Sequence, residues 1–404
     1  MPGMPAIIPT MRTIMIAKRL WNGASLLENP EIVIENGRIA SIVSRDRAAA
    51  PVRIQDGTLD FRDATLAPAF FDVHIHGAAG HDVMEASPEA LDVVGGFLAM
   101  CGTGSYLATT VTAPLDTTLR SLSGLARVIE HPDLMESQDK PIARPIGIHL
   151  EGPFLSHAKC GVQPAEYLLA PDIATFDRLY EAAEGRVCLV TLAPELPGAV
   201  ELIAHATARG VRVSLGHSNA TAAETLAAIE AGAVSATHTF NAMRPLDHRE
   251  PGILGTVLTT DSLYAELICD GIHTAPALVK LWYRAKGAER AILVTDAMSA
   301  AGMPDGEYQL GGFPVQVAQG RAMARGVLAG SVLTLDRALM NFMKYTGLPL
   351  ESALRLLTVN PALMTGLTKL AGTVAVGQPA DLVAIDETGK LVASILHGQP
   401  AAVA

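Results

Sequence analysis

"APAFFDVHIHG", residues 67 to 77, is an apolar run that ends in two histidines. Side chains on a strand alternate with a period of two, so His74 and His76 point to the same side. The run also marks a change of pattern along the chain. Before it come the short β-branched runs "RTIMIAKRLWN", "PEIVIENGRIASIVS" and "VRIQD", with "ENGR" as a turn, which read as a small β unit. After it, strand-like apolar segments alternate with longer helical stretches, the signature of parallel β/α units.

Counting from this stretch gives eight strands. The other seven are "GTGSYLATT", "PIGIHLEGPF", "RVCLVTLAPE", "VRVSLGH", "AVSATHTFNAM", "YAELICDGIH" and "AILVTDAM". Eight closes a (β/α)8, TIM-like barrel, so the expected fold class is α/β. The helices between them include "SPEALDVVGGFLAMCG", "GAVELIAHATARG" and "NATAAETLAAIEAG", whose apolar residues recur at three and four. An open doubly wound sheet would want a Gly-rich phosphate loop after its first strand, and "HIHGAAGHD" does not match G-x-G-x-x-G. "LTLDRALMNFMKYTG" and "PLESALRLLTVNPALMTGL" read as two further helices, and "GTVAVGQPADLVAIDETGKLVASILHG" returns to strands. Neither terminal β region is long enough to stand alone. The expected organisation is therefore a barrel over 67–366, with 1–66 and 367–404 joined in one small β-sandwich domain.

The chain has 404 residues, 49% of them hydrophobic, enough to bury a large core. Its formal net charge of −11, with no offsetting Lys/Arg run, argues against nucleic acid or an anionic membrane as partner. A small anion held by one or two local cations stays open. Cys101, Cys160, Cys188 and Cys269 form no Cys-x-x-Cys pair, which suits a reducing cytoplasm. Pro5, Pro9, Arg12 and Lys18 interrupt any signal-like start, and no window reaches the roughly 18 apolar residues of a spanning helix. The reading is a soluble cytoplasmic protein whose first ten or so residues form a loose extension.

Reactive groups of such barrels sit at the C-terminal ends of the strands. The polar residues found there are His74, His76, Glu151, His217, His238, Asp270, His273 and Asp296. Imidazoles with carboxylates suit a borderline divalent ion such as zinc or iron, and two ions bridged by one carboxylate would satisfy more of these groups than one ion would. Singly, each has a plainer reading: His-x-His bonding to backbone, Glu151 in a salt bridge, His217 or His238 as a satisfied core histidine, Asp296 as a helix cap. Their joint occurrence in barrel order favours ligation. His81, His131, His157, His205, His248 and His397 lack that context.

The strings "DVHIHG", "HLEGPFLS", "TLAPE", "GHSNAT", "THTFNAM" followed by "REPG", "DGIH", "VTDA", "LAGS", "TVNPA" and "GQPADLV" span nearly the whole chain. On them the sequence resembles the amidohydrolase superfamily, most closely its N-acetylglucosamine-6-phosphate deacetylase family. The resemblance implies metal-dependent hydrolysis of the acetamide of N-acetyl-D-glucosamine 6-phosphate, giving the amino-sugar phosphate and acetate. It implies that Glu151, His217 and His238 hold one metal, that His74 and His76 add a second, that Glu151 bridges the two, and that Asp296 touches the second. One or two ions per subunit, zinc or iron, follow. Asp296 would act as base and then acid towards a metal-activated water, while His273 polarises the carbonyl. Gly161, Val162, Gln163, Asn241, Ala242, Asp270, Leu328, Ala329 and Gly330 would contact the substrate. Arg249 would grip the phosphate bound in the adjacent subunit, which implies a homodimer.

One departure stands in "HAKCGVQP", where Gln163 occupies the place of the family's sugar-contacting histidine and Cys160 that of a basic residue. Glutamine donates and accepts hydrogen bonds but does not become cationic. Epimer preference or tightness of binding is where the change would tell. The other readings are the galacto epimer as substrate, another N-acyl or cyclic amide, and a catalytically silent barrel with a structural metal. Arg249 separates the amide readings, and Asp296, superfluous in a structural site, speaks against the last.

Overall fold

The computed structural model describes residues 12–45, 57–135 and 140–403. The expected N-terminal extension and the strand in "VRIQD" lie outside the described residues. Eight parallel strands follow one another around the barrel in chain order: β1 Phe70–Ile75, β2 Thr103–Thr110, β3 Arg144–Glu151, β4 Val187–Leu192, β5 Arg212–Leu215, β6 Ser235–Ala236, β7 Tyr264–Ile268 and β8 Ala291–Val294. All eight are those read from the sequence. Parallel barrel strands are covered on both faces, so they read as nearly continuous apolar runs, and "FFDVHI" and "AILV" are buried throughout.

Local sequence starts the surrounding helices. Ser87 accepts a hydrogen bond from the Ala90 amide at the head of Pro88–Met100, and Thr221 with Glu224 forms a capping box on Ala222–Glu230. The last expected helix is two, Leu350–Leu357 and Val359–Thr365, broken at Thr358. Pro361 falls in the first turn of the second, where its missing N–H is not needed.

No ladder joins β8 to β1. The seam closes at the mouth instead, where the Asp296 amide donates to the His74 carbonyl (2.9 Å) and the His76 amide to the Ala297 carbonyl (2.8 Å). Asp72 reinforces it from below, accepting from Thr295 Oγ1 at 2.5 Å and from the His74 amide at 3.2 Å.

Outside the barrel, both terminal segments enter one eight-stranded sheet. Its join is the antiparallel pairing of Leu382–Ile385 with the end of Thr58–Pro68, and Met15, Leu20, Ile32, Leu66, Leu382 and Ile395 belong to a core of its own. The companion unit expected from the two termini is this sheet. A second, antiparallel sheet of four strands over residues 306–328 was not foreseen, and its Leu310, Phe313 and Val315 pack with Val111, Val162 and Met298 beside the barrel mouth.

Lys286, buried on Pro276–Arg290, donates to the carbonyls of Val257 (2.8 Å) and Thr260 (2.7 Å) at the end of helix Gly252–Thr259. Lys286→Met removes the side-chain donor from both carbonyls, and Thr260 keeps only the Leu263 amide at 3.2 Å. The expected loss is about 1–3 kcal/mol, seen as a lower melting temperature of the metal-loaded protein with turnover unchanged. An unchanged melting temperature would contradict that role.

Candidate metal centre and active site

The strand ends deliver six side chains to one point. His74 and His76 sit on and just after β1, Glu151 ends β3, and His217, His238 and Asp296 lie two residues beyond β5, β6 and β8. All six are buried. Glu151 Oε1 stands 3.1 Å from His217 Nε2 and 3.0 Å from His238 Nε2; Asp296 Oδ1 is 3.1 Å from His76 Nε2. His217, His238 and Asp296 have φ of 46°, 29° and 51°, in the left-handed region that non-glycine residues avoid. Such backbone persists where the surroundings enforce it, and it concentrates at functional sites.

The donor set fits a divalent cation. His217 Nδ1 faces the Lys159 carbonyl and His76 Nδ1 the Thr109 carbonyl, each at 3.0 Å. A carbonyl only accepts, so each ring keeps a proton on Nδ1, and in the neutral ring Nε2 presents a lone pair. Those lone pairs point at further acceptors: His217 Nε2 lies 3.2 Å from His238 Nε2, and His76 Nε2 3.3 Å from His74 Nε2. A shared cation resolves this convergence. Two groupings have ligand spacing, His74–His76–Asp296 and His74–Glu151–His238.

Charge reinforces the arrangement. Burial opposes ionisation of Glu151, but His74 and His217 outweigh it and hold the carboxyl well below its usual range. Burial drives His74 well below the usual imidazole value. Burial also acts against His76, yet the Asp296 bond and the Glu151 charge raise it to about 9.

A cavity of about 260 Å³ opens on this cluster, near the lower end of the ~300–1,000 Å³ typical of small-molecule sites. His76, Glu151, His217, His238, His273 and Asp296 line it. So do Gly161, Val162 and Gln163 from one loop, Asn241 and Ala242 from another, Leu328 from the last strand of the four-stranded sheet and Gly330 just beyond it. Ala329, between them, is buried and bonded through its amide to the Ala322 carbonyl. Arg249 is away from the cavity on an exposed loop.

Two residues have commitments that sequence alone did not suggest. Gln163 Nε2 donates to Glu151 Oε2 at 2.7 Å, and its Oε1 accepts from the Thr112 amide at 2.8 Å. The side chain therefore braces Glu151. Asp270 accepts from the Ile272 and His273 amides and from His273 Nδ1 at 2.6 Å. Burial works to raise Asp270, and the His273 bond overcomes it, leaving the carboxyl below its ordinary value.

Among the buried polar residues that escaped the sequence reading, Asp72, His149 and Glu266 lie against the cluster or its seam. The His149 ring lies 4.8 Å from that of His74, and its Nε2 pairs with Thr191 Oγ1 at 2.8 Å. The available signal was a charged or imidazole residue inside an otherwise apolar strand.

Residues 65–402 match the model of the amidohydrolase family. The chain is 39% identical over 378 residues to N-acetylgalactosamine-6-phosphate deacetylase of Escherichia coli O157:H7, covering 93% of this chain and 96% of that protein. It is 38% identical over 367 residues to N-acetylglucosamine-6-phosphate deacetylase of Lysinibacillus sphaericus, covering 91% and 92%. Among solved structures, a mutant N-acetyl-D-glucosamine-6-phosphate deacetylase from Mycobacterium smegmatis, in complex with N-acetyl-D-glucosamine-6-phosphate, superposes with a TM-score of 0.87. The two share 35% identity over 97% of this chain and 100% of that one. The chain belongs to the amidohydrolase family, in the branch formed by these amino-sugar-phosphate deacetylases.

Proposed function

We infer that the protein hydrolyses the acetamide of N-acetyl-D-glucosamine 6-phosphate to D-glucosamine 6-phosphate and acetate. The observation that carries this is the Asp296 carboxylate at the floor of the cavity, 3.1 Å from His76 Nε2 and beside an imidazole cluster with metal-ligand spacing. A structural metal site needs no such carboxylate open to a ligand cavity.

Glu151, His217 and His238 would hold one divalent ion, and His74, His76 and Asp296 a second; zinc or iron suits this donor set. The metal supplies Lewis acidity that acidifies water and polarises a carbonyl. Asp296 takes the proton of the attacking water and returns it to the departing amine. Asp270 holds the His273 ring through Nδ1 and so orients its Nε2 edge in the cavity, where donation to the amide oxygen as it gains charge requires the doubly protonated ring. Gln163, tied to Glu151 and Thr112, steadies the carboxylate rather than reading the sugar. Gly161, Val162, Asn241, Ala242, Leu328, Ala329 and Gly330 shape the pocket.

Arg249, exposed and outside its own cavity, suits a homodimer in which it grips the phosphate bound by the neighbouring copy. Four free cysteines suit the cytoplasm, and no helix among the described residues is long and apolar enough to cross a membrane. We take 67–366 as the catalytic barrel and the flanking segments 1–66 and 367–404 as its companion domain.

Acetate release from the two N-acetylhexosamine 6-phosphates and their unphosphorylated sugars, with metal counted per chain, tests the whole reading. The gluco phosphate is expected to be hydrolysed fastest and the free sugars slowest. Arg249→Ala should lower kcat/KM for the phosphorylated substrate roughly 10–100-fold, the worth of a charge-assisted pair, and leave free-sugar hydrolysis unchanged. Full activity of Arg249→Ala would remove the phosphate assignment. The galacto epimer is the second reading, favoured by the likeness to the Escherichia coli O157:H7 deacetylase.

A further inference from the structure

His74 is the one ligand common to both candidate metal groupings. Its Nε2 stands 3.3 Å from His76 Nε2 and 3.5 Å from both Glu151 Oε1 and Asp296 Oδ1. Its other nitrogen, Nδ1, faces Glu266 Oε2 at 3.2 Å. That oxygen also accepts from the His238 amide at 3.3 Å, so Glu266 on β7 ties a ligand of β1 to the segment that carries another. Glu266 is wholly buried, and its Oε1 has no hydrogen-bond partner among the described residues. Burying a carboxylate with half its acceptors unused is costly, and the neighbours on β7, Ala265 and Leu267, show that the strand itself is built of apolar residues.

The other imidazoles are backed differently. His76 and His217 donate from Nδ1 to main-chain carbonyls, which fix a tautomer without adding charge. A carboxylate behind the ring fixes the tautomer and also makes the ring a stronger ligand.

We propose that Glu266 is a positioning residue: it keeps the His74 proton on Nδ1, turns the Nε2 lone pair to the metal centre, and thereby sets the affinity for the ion shared by His74 and His76. The assignment rests on the two-ion reading above.

The test strips wild type, Glu266→Gln and Glu266→Leu with a chelator, equilibrates each against stepped free Zn²⁺, and counts metal per chain. Melting temperatures of the stripped proteins are taken alongside. Wild type should take up two ions. Glu266→Leu should bind one of them roughly 10–100-fold more weakly and the other unchanged, while Glu266→Gln, which keeps an acceptor oxygen, should recover most of the loss. A purely structural Glu266 would move the melting temperature and leave both uptake steps in place, which overturns the proposal. Wild type taking up a single ion sinks the two-ion reading and this assignment with it. Should Glu266→Leu not fold, two unweakened steps in Glu266→Gln overturn it, and a several-fold weakening of one step supports it.

Discussion

Glu151→Gln is expected to empty the centre of metal and to lower kcat/KM by roughly 10³-fold or more, since the Lewis acid is worth several kcal/mol and each 1.36 kcal/mol is tenfold. The carboxylate is within 3.0–3.1 Å of His217 and His238 and 3.5 Å of His74, so its charge is what lets these rings converge on a cation. An amide of the same size keeps the shape and loses the charge. Metal per chain and acetate release, measured before and after added zinc, read the result. Retained metal with turnover within tenfold of wild type would refute the assignment.

Asp296→Asn separates metal binding from proton transfer. Loss of a positioned general base typically costs about 10²–10⁴-fold, and the loss should fall on kcat with KM nearly unchanged. At least the ion held by Glu151, His217 and His238 should remain, because Asp296 lies outside that set. Undiminished hydrolysis would eliminate Asp296 as the base and revive the silent-barrel reading.

The barrel was legible because strands buried on both faces are written as nearly unbroken apolar runs. Even β6, only Ser235–Ala236, showed itself through the polar residues that follow it. The four-stranded sheet over 306–328 was missed although "FPVQVA" alternates cleanly between buried and exposed. It follows the strand that completes the count of eight, and short alternating hairpins carry less pattern than barrel strands. The residues now gathered at the centre were legible by position, at strand ends in chain order.

What sequence could not convey is the direction of side chains inside the barrel. Glu266 and Asp72 read as single polar interruptions, and only register shows that they back His74 and the seam. The reversal around "DGIH" likewise turns Asp270 onto its own loop and His273, a consequence of turn geometry that residue type leaves open.

The seam between β8 and β1 has one more consequence. Two of its closing bonds start from the amides of His76 and Asp296, whose side chains also meet at 3.1 Å. Barrel breathing at that edge and dismantling of the site are the same motion. An ion spanning those two side chains would act as a clasp on the barrel, and slow hydrogen exchange at these two amides would mark the clasped state.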